Sequence, residues 1–270
     1  MRQIPAALLG VFLCSLVASA DTGFLDRSVV VAGETSRYQV YVPLKWTPAE
    51  RWPVLVWLHG SGAPQGSDGL KHIPLLSVMT AVRADRDRFP AIMIFPQARV
   101  GTRWSTPAMQ QMVLAQLDST IKEFNGDADR VYLSGFSMGG SGAVRIALRW
   151  PERFAALIDV AGWITVDTGW TPVLIEEDKR THPFVSAADP YKEAARLIQG
   201  IPTWIFHGDA DKLVPPNESR RLVAELKALG IDVRYTEYPG VDHAQVAIKA
   251  WEEKGLAEWL LVQRRSSQGR

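Results

Sequence analysis

Short apolar runs alternate with stretches of helical periodicity through most of this chain, and that alternation is the strongest constraint on its fold. Residues 53–58 (PVLVWL) and 91–95 (AIMIF) are continuously apolar, the pattern of central strands covered on both faces. Before them, 28–32 and 37–42 read as an opening antiparallel pair, the second setting Tyr38, Val40 and Val42 on one face. After them, strands at 130–134, 156–160, 203–206 and 233–238 alternate with helices at 107–124, 138–150, 191–198, 218–229 and 244–261. Such spacing predicts an α/β domain whose mostly parallel central sheet carries helices on both faces. One stretch breaks the rhythm: 163–190 is polar, contains Trp163 and Trp170, and shows no clear periodicity. It is read as a small cap loop, long enough to be functional.

Composition removes other classes. With 47% hydrophobic and 22% charged residues the chain has the make-up of a folded domain, not of a disordered one. The balance of 30 Lys+Arg against 29 Asp+Glu lacks the basic excess of a dedicated nucleic-acid binder, so none is expected as a partner.

Residues 1–20 follow the rule for a secretory signal peptide: Arg2 in the n-region, an apolar stretch from Ile4 to Val17, then Ala18-Ser19-Ala20 as a small-x-small cleavage site. The apolar stretch is shorter than the ~20 residues of a spanning helix. Cleavage after Ala20 leaves a catalytic domain at 21–270, secreted or periplasmic, with no later run of membrane-spanning length and so no membrane partner. The leader carries off Cys14, the sole cysteine, and with it any disulfide, thiol nucleophile or cysteine metal site. Nothing in the sequence fixes the oligomeric state.

The chemistry centres on Gly135-Phe136-Ser137-Met138-Gly139, between the strand at 130–134 and the helix that follows. In that context Gly-x-Ser-x-Gly marks a serine on a sharp strand-to-helix turn, with glycines where strand and helix approach closely. Serine needs a base, and the base an orienting acid. Of five histidines, His243 alone lies on a loop after a late strand near the C-terminus, in Pro239-Gly-Val-Asp-His-Ala. The acid is expected in His207-Gly208-Asp209-Ala210-Asp211, after the strand at 203–206. Asp211 is far enough beyond the strand for a loop to turn it toward His243; Asp209 is the alternative. His207 precedes the acid on the strand end and is read as a brace.

An oxyanion forming at Ser137 needs two fixed donors. One is the backbone N–H of Met138; the other is expected in His59-Gly60-Ser61-Gly62, most simply the N–H of Ser61. There is no metal motif: no His-Glu-x-x-His, no cysteine pairs and no Asp-rich loop.

Together, Leu58-His59-Gly60-Ser61-Gly62, Gly135-Phe136-Ser137-Met138-Gly139-Gly140, His207-Gly208-x-x-Asp211-x-x-Val214-Pro215 and the late His243 resemble the α/β-hydrolase superfamily. Within it the chain is similar to secreted bacterial serine esterases: the feruloyl and acetylxylan esterase group, polyhydroxybutyrate depolymerase-like proteins and their peptidase relatives. The segment 38–43 and the Pro96-Gln97 pair with Trp104 downstream are usual there too. The likeness implies an α/β-hydrolase fold and a carboxylic-ester hydrolase acting on small-molecule or polymer-linked esters without a cofactor. It implies Ser137 as nucleophile, His243 as base and then acid, Asp211 as the group fixing its tautomer, and Ser61 and Met138 as oxyanion donors. It differs from disulfide-bonded members in lacking cysteines after the leader. Gln97, Trp104 and Trp163, on or beside loops after strand ends, are candidates for substrate contact. A serine peptidase of the same fold and a non-catalytic binding protein are the competing readings.

Overall fold

The computed structural model describes residues 22–63, 66–75, 77–165, 172–198 and 200–265, and among these eight strands form one sheet. The expected signal peptide at 1–20 lies outside the described residues. The strands are β1 (Gly23–Val31), β2 (Glu34–Val42), β3 (Trp52–Leu58), β4 (Ile92–Phe95), β5 (Gly126–Phe136), β6 (Ala156–Val160), β7 (Thr203–Gly208) and β8 (Val233–Tyr238). Their order is β1-β2-β4-β3-β5-β6-β7-β8. β1 pairs antiparallel with β2 and β2 with β4; from β4 to β8 every pairing is parallel. Ala32 and Gly33, at φ 52° and 81°, make the tight turn of the opening hairpin.

β3, β4, β6 and β7 are buried along their whole length, which is why β3 and β4 read as unbroken apolar runs. Alternation along β3 divides the core in two. Val54, Val56 and Leu58 pack with α2 (Pro107–Phe124), α3 (Met138–Arg149), α5 (Pro190–Ile198) and α6 (Asn217–Ala228) on one face. Leu55 and Trp57 pack with α1 (Ser77–Ala84), α7 (His243–Glu252) and α8 (Leu256–Leu261) on the other.

Two segments differ from the sequence reading. The helix expected over 244–261 is two helices, broken at Gly255, which takes φ 81°. The stretch read as a cap loop carries α4 (Pro172–Thr181) and a 3-10 turn at Pro183–Ser186. α4 shows no apolar periodicity because charge holds it down: Asp178 turns inward onto Arg145 while Glu176 and Lys179 face out. Residues 166–171 of that stretch, with Trp170, lie outside the described residues. Among the described residues no helix is long and apolar enough to cross a membrane.

Candidate active site

The functional side chains gather where β3, β5, β7 and β8 end, the carboxyl edge at which parallel sheets bind ligands. Ser137 joins β5 to α3 at φ 57°, ψ −117°, a conformation that non-glycine residues hold only when their surroundings enforce it. The enforcement is visible. Ser137 N–H donates to Val160 O at 2.8 Å, and its carbonyl accepts from Ser141 N–H at 3.0 Å. A Cβ on Gly135 would lie 2.1 Å from Gly139 O, and one on Gly139 would lie 1.9 Å from Leu58 O. Both motif glycines are therefore required by contact between backbones.

His243 opens α7, whose first turn is capped by Asp242 accepting from Gln245 N–H at 2.9 Å. Its Nε2 lies 2.8 Å from Ser137 Oγ and its Nδ1 2.5 Å from Asp211 Oδ2. With a carboxylate at Nδ1, that nitrogen carries the proton, and Nε2 is left to accept from the serine hydroxyl. The other oxygen of Asp211 accepts from Leu213 and Val214 N–H at 2.8 and 2.9 Å. Burial pushes the Asp211 carboxyl up, but the hydrogen bonds from His207, His243 and Val214 outweigh it and hold it well below the usual carboxylate range. Asp209 instead accepts from Gly240 N–H at 2.6 Å, fixing the β8 loop. Of the two candidate acids, Asp211 is the one within reach of His243.

Met138 is the first residue of α3, where backbone N–H groups have no acceptor within the helix. Ser61 sits in an exposed turn closed by Ala63 N–H to Gly60 O at 3.2 Å. That turn lies against the strand that ends at Ser137: a Cβ on Gly60 would meet a Phe136 ring carbon at 3.1 Å. Two groups clamp it. His59 Nδ1 donates to Gly60 O at 2.9 Å while its Nε2 accepts from Ala98 N–H at 3.2 Å. Burial holds His59 below its ordinary pKa, so the ring stays neutral and both nitrogens stay committed. Trp104 Nε1 donates to His59 O at 2.9 Å.

The tryptophan expectation is corrected by this geometry. Trp104 is fully buried beneath the turn that carries Ser61, its N–H already engaged, and offers no face to substrate. Trp163 is also buried, in the core between sheet and α3. Gln97 is buried beside His59's partner Ala98, and its Oε1 has no partner among the described residues.

Two features were missed because their partners are distant in sequence. Arg145 in α3 meets Asp178 in α4 with both Nε–Oδ1 and Nη2–Oδ2 at 2.8 Å, the pair almost wholly buried. Glu218 in α6 accepts from the N–H groups of Ile164 and Thr165 at 2.8 and 3.1 Å and from Tyr191 OH at 2.6 Å. Both secure the chain where it leaves β6 for the cap. Among the described residues no cluster of three His, Cys, Asp or Glu side chains is placed to hold a metal ion.

The model of the prolyl oligopeptidase family matches residues 101–262, the span holding Ser137, Asp211 and His243. The chain belongs to the prolyl oligopeptidase family. This member of the family superposes on the crystal structure of a thermostable esterase with a TM-score of 0.71, at 28% identity over 90% of this chain and 63% of that one. The fold is accordingly that of the α/β-hydrolases. Acyl-protein thioesterase 1 of Gibberella zeae is 24% identical over 146 residues, 54% of this chain and 52% of its own length. A bifunctional acetylxylan esterase/xylanase of Neocallimastix patriciarum is 33% identical over 129 residues, 46% of this chain and 17% of its own length. The chain thus spans about half the length of the thioesterase and a smaller part of the bifunctional enzyme.

Proposed function

We propose that the chain is a serine hydrolase of carboxylic esters, with Ser137 as nucleophile, His243 as general base and acid, and Asp211 as the group that orients the imidazole. The observation that carries this reading is the unbroken line of hydrogen bonds from Ser137 Oγ through His243 to Asp211 Oδ2, at 2.8 and 2.5 Å, on a strained elbow. Ser137 Oγ would attack the ester carbonyl as its proton passes to His243 Nε2. The oxyanion would be held by the N–H groups of Met138 and Ser61. On collapse the bond to the alcohol oxygen breaks, the alcohol takes the proton from Nε2, and Ser137 is left acylated. Water would then attack, giving its proton to Nε2. Collapse releases the acid, and the proton returns to Ser137 Oγ. No step calls for a cofactor.

Likeness to a thermostable esterase over nine-tenths of the chain supports the ester class. The stretch shared with an acetylxylan esterase/xylanase supports acetyl esters as the narrower class. Export to the periplasm or medium is part of the proposal and is supported by the pattern of residues 1–20. The family name supports a second reading, a serine peptidase using the same groups on an amide.

The test is a panel of p-nitrophenyl esters of increasing acyl length, methyl ferulate, acetylated xylan and a peptide anilide, with wild type and Ser137→Ala. Ester turnover lost in Ser137→Ala is the expected result. Turnover of the anilide alone would replace the esterase by the peptidase.

A further inference from the structure

Asp211 accepts from more than His243. His207, near the end of β7, is fully buried, and its Nε2 lies 3.2 Å from Asp211 Oδ2, the oxygen that also faces Nδ1 of His243. The same Nε2 lies 3.0 Å from Val214 O, and Nδ1 lies 2.7 Å from Ser219 Oγ in α6. A carbonyl and a carboxylate can only accept, so Nε2 carries a proton whatever the charge on the ring. The ester-hydrolysis steps above make no use of it.

Oδ2 is thus met from two sides, by His243, which faces Ser137, and by His207, which is anchored to α6. A second donor on one oxygen does two things. It fixes the direction from which Oδ2 meets the Nδ1–H of His243, and it takes a share of the negative charge that would otherwise favour a proton on that ring. Burial pushes the Asp211 carboxyl up, and of the bonds that pull it down the one from His207 is the largest, ahead of the one from His243. Other charges surround the ring. Asp159 of β6 and Glu237 of β8, the latter opposite His207 in register, are within its electrostatic reach, and Glu218 precedes Ser219 in α6.

We infer that His207 is a positioning residue for the triad: its Nε2–H holds Asp211 Oδ2 and limits how strongly that oxygen favours a proton on His243. A base kept too firmly as the imidazolium cannot take the proton of Ser137 in mild acid. The inference rests on the roles given above to Ser137, His243 and Asp211, and not on the class of ester.

A brace and a shared oxygen predict opposite signs. If His207 only braces the loop, its loss lets Asp211 drift from His243, the imidazolium is less favoured, and the acid limb of kcat/KM stays or moves to lower pH. If it shares Oδ2, its loss leaves that oxygen's charge to His243 alone, the imidazolium is more favoured, and the limb moves to higher pH.

The experiment compares wild type, His207→Gln, His207→Asn and Ser219→Ala. Gln sets an amide N–H about where Nε2 stands, whereas Asn reaches only as far as Nδ1, toward Ser219. Two readouts are followed from about pH 5 to about pH 9, kcat/KM on p-nitrophenyl acetate and the rate of fluorophosphonate labelling at Ser137. His207→Asn is expected to raise the acid limb of both by roughly 0.5–1 pH unit and to lower kcat about tenfold with KM little changed. His207→Gln should keep the limb of wild type, and Ser219→Ala, which frees the far side of the ring, should move it as His207→Asn does but by less. Burial pushes Asp159 up to about 6, inside this window, so the shift should persist in an Asp159→Asn background. If urea unfolding shows that His207→Asn does not fold, the sign in Ser219→Ala decides. A limb that stays or falls in His207→Asn, rises equally in His207→Gln, or shifts only while Asp159 is present would overturn the inference. A wild type that labels at Ser137 but turns over no ester would overturn the esterase class alone, and the labelling rates would still decide the role of His207. One that does neither would overturn the triad roles and this inference with them.

Discussion

Nε2 of His207 lies 3.2 Å from Oδ2 of Asp211, the same oxygen that His243 reaches with Nδ1 at 2.5 Å. His207 is fixed from behind, its Nδ1 2.7 Å from Ser219 Oγ and its Nε2 also 3.0 Å from Val214 O. One carboxylate oxygen therefore receives two imidazoles, His207 held by Ser219 and Val214 and His243 facing Ser137, with the second oxygen closed by two backbone N–H groups. The prediction is specific to the residue. Asp211→Asn should keep the fold and lower kcat by about 10⁴, because an amide there no longer fixes the tautomer that leaves Nε2 free to accept. Asp209→Asn, which retains an acceptor for Gly240 N–H, should change kcat only a few-fold. Steady-state kinetics of the two variants, with circular dichroism to verify folding, checks both; the reverse ranking would make Asp209 the acid.

The centre of the sheet was legible in the sequence because β3 and β4 are buried on both faces and therefore unbroken in apolar character, while β2 showed itself by alternation. Ser137 and His243 were legible because the elbow demands glycine at 135 and 139 and because chain order leaves one histidine in the right loop. What stayed hidden was held by contacts between distant residues. α4 is anchored by an ion pair across 33 positions, so its own composition shows no inward stripe. Trp104 read as a candidate for substrate contact from its loop position, yet its N–H is committed to His59 O, 45 positions earlier. Gly255 broke a helix that apolar spacing alone would have continued.

Trp104 is thus expected to act on the reaction through the oxyanion turn. Trp104→Phe keeps an aromatic ring but removes the donor to His59 O, leaving a buried carbonyl unsatisfied at about 1–3 kcal/mol. The turn that carries Ser61 would loosen, and kcat should fall about tenfold with KM little changed. Outright loss of an oxyanion donor sets the upper limit, about 10²–10³. Denaturant unfolding and kcat measured on one preparation test the two halves. A changed acyl preference at constant kcat would instead return Trp104 to the substrate.

Two buried groups oppose each other in acid. Burial, with Arg145 beside it, pushes His182 down to about 4, so the unfolded chain takes up that proton first and the contribution to stability is lost as pH falls from about 6.5 to about 4. Burial pushes Asp159 up to about 6, against the pull of His207 and the Gly162 N–H, so its contribution is full below about 3.8 and lost as pH rises through about 6. Between pH 4 and 6 the slopes cancel in part. His182→Gln should make stability fall with rising pH across that window relative to wild type, and Asp159→Asn should make it rise more steeply. Urea midpoints at pH 4, 5, 6 and 7 for the three proteins decide it; parallel curves would mean that neither group titrates as its surroundings dictate.

Arg145 is where the cap is tied to the helix that follows Ser137. Besides the two bonds to Asp178, its guanidinium donates to Ser141 Oγ at 2.6 Å, Ile164 O at 3.1 Å and Trp163 O at 3.3 Å, and lies over the Phe184 ring at 5.6 Å. Arg145→Leu would leave the Asp178 carboxylate buried without its partner and three acceptors unfilled, so a loss of about 3–5 kcal/mol is expected in denaturant unfolding. Most of that loss belongs to the stranded charge, since desolvation of the two ions offsets much of their attraction. The double variant Arg145→Leu/Asp178→Leu should therefore recover a substantial part of the stability. A double variant no more stable than Arg145→Leu alone would place the loss in the unfilled carbonyls of Trp163 and Ile164, and so in the backbone path of the cap.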